Sequence, residues 1–266
     1  MMTREGDHMQ NEFPGEDCKV PFKTGIRYSF CFSGHPAILV KPRQADPLGR
    51  WVWRTEFFDA FPAVDDALLA AGFHLAYLQV SDRFGCPSAI DDLEAYRVWL
   101  VQEVGLAERA NLFGFSRGGL YAMHYATRFP NHVATLYLDA PVLDVLSWPA
   151  GLKAGRGSPR DWQLCQEAYG LTPTSLDAIG DMADRQIRRL AELALPVILV
   201  AGDADDVVPW TENGERLAAA YQERQRADLC QVILKSGCGH HPHSLDDPEP
   251  VKAFILRHDK GHLPRH

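Results

Sequence analysis

Gly114-Phe115-Ser116-Arg117-Gly118-Gly119 sets a serine between glycines two residues before and two residues after it. The apolar stretch 110–113 precedes it and a helix-like stretch, 120–129, follows. Ser116 is therefore expected on a sharp strand-to-helix turn, with its hydroxyl projecting above a sheet. Such a turn leaves no room for side chains at 114 and 118, and glycine meets that need, with Gly119 extending the clearance. The helix behind the serine would aim its positive end at the site, and the backbone N–H of Arg117 would face an oxyanion forming there. A tight turn that merely contains a serine is the competing reading.

A serine hydroxyl attacks a carbonyl only weakly at neutral pH. It needs a histidine to take its proton and a carboxylate to hold that histidine. Both residue types stand downstream, just past two apolar runs of the kind buried parallel strands show. The run 196–201 breaks into a loop carrying Asp203, Asp205 and Asp206, and the run 231–234 into one carrying His240, His241 and His243. Open α/β sheets place their ligands past the carboxyl ends of strands, so both loops are candidates for one site.

On these residues the chain resembles the α/β-hydrolase family, from about residue 29 to about residue 257. That family commonly carries its acid in the pattern glycine, two residues, aspartate, two residues, valine, proline, matched here by Gly202, Asp205, Val208 and Pro209. Its histidine commonly follows a glycine after the last strand, as His240 follows Gly239. The resemblance implies Ser116 as nucleophile, His240 as base and Asp205 as acid. Asp203, Asp206, Asp139 and Asp144 compete for the acid, and His241 and His243 for the base. A closer likeness to bacterial serine hydrolases of the prolyl-oligopeptidase-like or dienelactone-hydrolase-like kind runs through Trp51-Val52-Trp53-Arg54, the GFSRGG segment and His240-His241-Pro242-His243-Ser244-Leu245. A second oxyanion donor is expected in the loop after residue 40. The family's usual His-Gly is missing there, and the backbone N–H of Trp53 is the candidate.

The activity implied is cleavage of a small carboxylic ester, or a related acyl bond, through an acyl-enzyme. A peptidase or amidase, or a lactonase, could use the same triad, and a non-catalytic binding protein could use the same fold. Arg54 and Arg117 stand where two guanidinium groups could approach one cleft and favour a substrate bearing an acid group; the competing reading is that each makes a structural ion pair, with Asp82 or Asp144 as the partner. Three clustered histidines also suggest a metal. No second group of ligands at metal spacing accompanies them, so neither metal nor organic cofactor is expected.

Strand and helix signals alternate along the chain. Strands are expected at 27–32, 36–40, 73–80, 110–115, 133–139, 196–201 and 229–234, and helices at 61–71, 90–104, 118–129, 210–224 and 248–257. The fold expected is thus the α/β-hydrolase fold: a mostly parallel central sheet with helices on both faces, in a single domain spanning 1–266. The segment 145–195, rich in Gly, Pro and charge at its start, reads as a small lid insertion within it, with Trp148 and Trp162 as apolar walls of a substrate pocket. His74, His124 and His132 read as packing or surface residues. At 266 residues, 46% hydrophobic, the chain can bury one large core. A net charge of −8 argues against nucleic acid or an anionic membrane as partner. The substrate expected is a small molecule. Six scattered cysteines without a CxxC read as reduced thiols, and the polar segment 1–17 lacks the apolar core of a signal peptide, which together suggest a cytoplasmic protein.

Overall fold

The computed structural model describes residues 18–172 and 179–261. The polar segment 1–17 lies outside the described residues, as does a short stretch of the expected lid. The strands are β1 (Lys19–Phe22), β2 (Gly25–Phe32), β3 (His35–Pro42), β4 (Trp51–Arg54), β5 (His74–Leu78), β6 (Ala110–Phe115), β7 (Val133–Asp139), β8 (Val197–Gly202) and β9 (Cys230–Lys235). They form one sheet in the order β1-β2-β3-β5-β4-β6-β7-β8-β9. Pairing is antiparallel from β1 through the β3–β5 contact and parallel from β5 onward to β9. This is the α/β-hydrolase fold.

The helices are α1 (Ala63–Ala70), α2 (Pro87–Gln102), α3 (Gly118–Arg128), α4 (Pro159–Tyr169), α5 (Met182–Leu193), α6 (Gly214–Glu223) and α7 (Glu249–His258). Side chains alternate across each strand, so covering both faces creates two cores. In β8, Val197 and Leu199 join the core under α2, α3, α5 and α6, while Ile198 and Val200 join the core under α1 and α7. Burial on both faces is why this strand is a continuous apolar run. Helix α2 starts three residues earlier than expected, at Pro87, because proline lacks only an N–H that the first turn leaves unpaired anyway.

Two strands are corrections: β1, at the edge of the sheet, and β4. Residues Trp51–Arg54, expected in a loop, form β4, buried along its whole length between β5 and β6. Four residues ending in arginine carry too short an apolar run to signal a strand. The segment expected as a lid packs in two places. Residues 145–172 build a separate apolar packet in which Trp148 and Trp162 pack around Val145, Cys165 and Phe84. Helix α5 instead sets Ile187, Leu190 and Ala191 into the main core, against α3 and α6. Among the described residues no helix is long and apolar enough to cross a membrane.

His74, at the start of β5, is buried. Burial, with Lys41 nearby, pushes its pKa down to about 4. Its folded value lies below its unfolded one, so the unfolded chain takes up the proton first. The stability this neutral ring contributes is present above about pH 6.5 and is lost as pH falls from there to about 4. Urea denaturation at pH 7 and pH 4.5 should show an acid-induced loss about 2 to 3 kcal/mol larger in the parent than in His74→Gln. Parallel losses in the two proteins would mean that His74 is not the group titrating.

Candidate active site

Ser116 sits just past the carboxyl end of β6 with φ +48°, a left-handed conformation that only a constrained turn imposes on serine. The turn is pinned from both sides. Ser116 N–H donates to Asp139 O at 3.0 Å, and Ser116 O accepts from Val142 N–H at 2.8 Å and Gly119 N–H at 2.9 Å. The nearby glycines are steric necessities. A Cβ on Gly114 would lie 2.9 Å from Gly118 O, and one on Gly119 would lie 2.7 Å from Pro141 Cβ and Val142 O.

The structure brings Ser116, His240 and Asp205 into one hydrogen-bonded chain. Ser116 Oγ is 3.0 Å from His240 Nε2, and His240 Nδ1 is 2.7 Å from Asp205 Oδ2. An ionised carboxylate can only accept, so the His240 proton belongs on Nδ1 and the Nε2 lone pair faces the serine hydroxyl. Asp205 is itself held by the loop after β8, where its Oδ1 accepts from Val207 N–H at 2.9 Å and Val208 N–H at 2.8 Å. That turn gives the aspartate-to-valine spacing a physical basis.

Each competitor is occupied elsewhere. Asp203 accepts from Gly237 N–H, Asp206 pairs with Arg156 at the surface, and Asp144 holds Lys153 and Arg216. Asp139, at the end of β7, is fully buried and forms a second His–Asp pair: its Oδ1 lies 2.7 Å from His243 Nδ1. Its Oδ2 accepts from Tyr137 Oη–H at 2.8 Å and Ser244 N–H at 2.9 Å. Sequence reasoning misses this pair because its members are 104 positions apart.

Beside Ser116 lies a cavity of about 180 Å³ lined by Phe57, Ala60, Phe61, Phe115 and the three histidines 240, 241 and 243. Its walls are mostly apolar and aromatic. Two expectations about this cleft are corrected, both because β4 is a strand. Trp53 lies inside the sheet and packs its indole against Trp51 and Tyr125, at ring distances of 5.2 and 5.1 Å. Strands pair on both sides of it, so its N–H belongs to the sheet ladder rather than to a cleft. Arg54 is completely buried, donating to Asp65 at 2.5 and 2.8 Å, with its guanidinium 3.9 Å over the Phe115 ring. Its charge is consumed by that pair.

Arg117 does border the site, but its guanidinium is taken too. It donates to Asp82 at 2.8 Å and lies 3.5 Å from Glu56 and 3.9 Å from Asp161 of α4. Burial pushes the Glu56 carboxyl above its usual range, against the opposing pull of Arg117. Three carboxyl groups around one guanidinium leave it no surplus charge for an acidic substrate, and the pairing with Asp82 is the structural ion pair that the competing reading of Arg117 expects. Trp148 packs against Phe84, ring centres 6.1 Å apart, within the apolar packet and is not among the residues lining the cavity at Ser116. The first residues past β4 matter more than β4 itself. Phe57, with φ +54°, lines the cavity, and neither its N–H nor that of Arg117 donates a hydrogen bond among the described residues.

A family model described as alpha/beta hydrolase fold matches residues 49–164. Among solved structures, the chain is similar to a Mycobacterium tuberculosis puromycin-hydrolyzing peptidase, at 17% identity and TM-score 0.64, covering 88% of this chain and 39% of that one. It is similar also to Est1E from Butyrivibrio proteoclasticus, at 15% identity and TM-score 0.61, covering 87% of this chain and 98% of that one. Porphyromonas gingivalis dipeptidyl peptidase 4 aligns at 15% identity and TM-score 0.62, over 88% of this chain and 35% of its own. The chain thus spans little more than a third of the two peptidases and nearly all of Est1E. No curated protein matches the chain.

Proposed function

We propose, taking the α/β-hydrolase fold of the chain as premise, that it is a serine hydrolase that cleaves short-acyl carboxylic esters through an acyl-enzyme. The hydrogen-bonded chain from Asp205 through His240 to a left-handed Ser116 carries this reading. In the reaction, Ser116 Oγ attacks the ester carbonyl while His240 Nε2 takes its proton. The tetrahedral oxyanion is met by the N–H groups of Arg117 and Phe57, the latter replacing Trp53 as second donor. His240 returns the proton to the departing alkoxide as the carbon–oxygen bond breaks, leaving the acyl group on Ser116. Water then attacks the acyl-enzyme with His240 again as base, which frees the acid and restores the serine. Asp205 stabilises the imidazolium formed in each half.

The cavity argues for the size and polarity of the acyl group. A volume of about 180 Å³ is room for about six water-sized groups, and its lining holds no lysine, arginine or carboxylate. A p-nitrophenyl ester series from acetate to laurate is expected to show kcat/KM highest at acetate or butyrate and at least about tenfold lower at octanoate, as overfilling a packed site costs about 1–3 kcal/mol. Phe61→Ala, which opens the exposed side of the cavity, should recover part of the loss on octanoate. Rates that rise with chain length would reject the short-acyl assignment. Faster cleavage of the matching p-nitroanilide than of the ester would move the activity to amides.

A further inference from the structure

His240, His241 and His243 meet in space as well as in sequence. One ring nitrogen from each lies within 4.8 Å of the others, and the three ring centroids stand 4.9 to 5.0 Å apart, at steep mutual angles. The expectation of no metal rests on the lack of a second ligand group. Three converging nitrogens, however, are enough for a site whose fourth position is water.

Two of the three are oriented as metal-binding histidines are. His240 and His243 each bond through Nδ1 to a buried carboxylate, Asp205 and Asp139, at 2.7 Å. A carboxylate on one imidazole nitrogen fixes the tautomer that leaves the other nitrogen a free lone pair. His243 Nε2 and both nitrogens of His241 make no hydrogen bond among the described residues, and His240 Nε2 has only the serine hydroxyl. His241 is exposed, which leaves its ring room to shift inward. Phe61 and Phe115 pack on the His243 ring and hold it in place. The two carboxylates also supply two negative charges one imidazole away from a common centre.

We propose that His240, His241 and His243 form a three-nitrogen site for a divalent transition metal, best zinc, whose occupation switches the hydrolase off. Tetrahedral zinc holds nitrogens at about 2.0–2.1 Å, which places them about 3.4 Å from one another, so the widest pair needs to close by roughly 1.4 Å. The inhibition follows from a shared lone pair: His240 Nε2 cannot coordinate the ion and accept the Ser116 proton together. Only that consequence rests on the proposed function; binding itself does not.

The test is titration of ZnCl2 into the full chain by isothermal calorimetry, in parallel with hydrolysis of p-nitrophenyl acetate. One equivalent should bind saturably, and activity should fall in proportion to occupancy and return with EDTA. His241→Ala should weaken binding at least about tenfold, while Ser116→Ala, which removes no ligand, should bind as tightly as the parent. Absence of saturable binding at millimolar ZnCl2, or equal affinity in His241→Ala, would overturn the site. Undiminished hydrolysis at full occupancy would overturn its placement on His240. Saturable, His241-dependent binding in a protein that hydrolyses nothing would leave the site standing and remove the proposed function instead.

Discussion

Ser116→Ala is expected to fold as the parent does and to lose roughly 10⁵- to 10⁶-fold in kcat on p-nitrophenyl acetate, as removal of an activated nucleophile does. The fold should survive because alanine keeps the Cβ already accommodated at φ +48°, and the turn's hydrogen bonds run through the backbone of residue 116. What disappears is the single oxygen 3.0 Å from His240 Nε2. A fluorophosphonate probe should label the parent and leave the variant unlabelled, with far-UV circular dichroism and Tm unchanged. A variant that turns over at the parent rate would show that another group attacks the carbonyl.

Asp205→Asn should cost about 10⁴-fold in kcat with little change in stability. The reason lies in the loop. Val207 and Val208 N–H groups both require an acceptor where Asp205 Oδ1 stands, so the amide oxygen of asparagine should take that place. Its NH₂ would then face His240 Nδ1 and force the ring proton onto Nε2, where it blocks transfer from Ser116. Asp139→Asn makes the contrast. That carboxylate accepts from Tyr137, Ser244 and His243 while fully buried, so its neutralisation should appear chiefly as lost stability, about 2–4 kcal/mol by urea denaturation, with kcat within about tenfold of the parent. If Asp139→Asn loses turnover and Asp205→Asn keeps it, the acid role passes to Asp139.

Much of the candidate site is legible in the sequence because its determinants are local. The glycines around Ser116 answer a steric demand made within five residues, and strands β6 and β7 begin and end at the expected bounds, 110–115 and 133–139. Asp205 is set apart from Asp203 and Asp206 in the sequence only by the spacing to Val208 and Pro209 that the family resemblance implies, and the turn that closes onto residues 207 and 208 gives that spacing its local basis. The misreadings of Trp53 and Arg54 share one origin. An arginine at the end of a four-residue run speaks for solvent, and only the arrival of Asp65 and the Phe115 ring makes its complete burial possible.

The α/β alternation, the turn at Ser116 and the two loops past the apolar runs are legible along the chain, since each depends on periodicity or on contacts a few residues apart. Only the packed sheet shows that Trp53 and Arg54 are interior to it, that Arg117 is spent on Glu56, Asp82 and Asp161, and that Asp139 holds His243. The physical reason is that a charged side chain's role depends on which partner reaches it. Partners 35 to 104 positions away are brought within hydrogen-bond distance by strand order, which no local window contains.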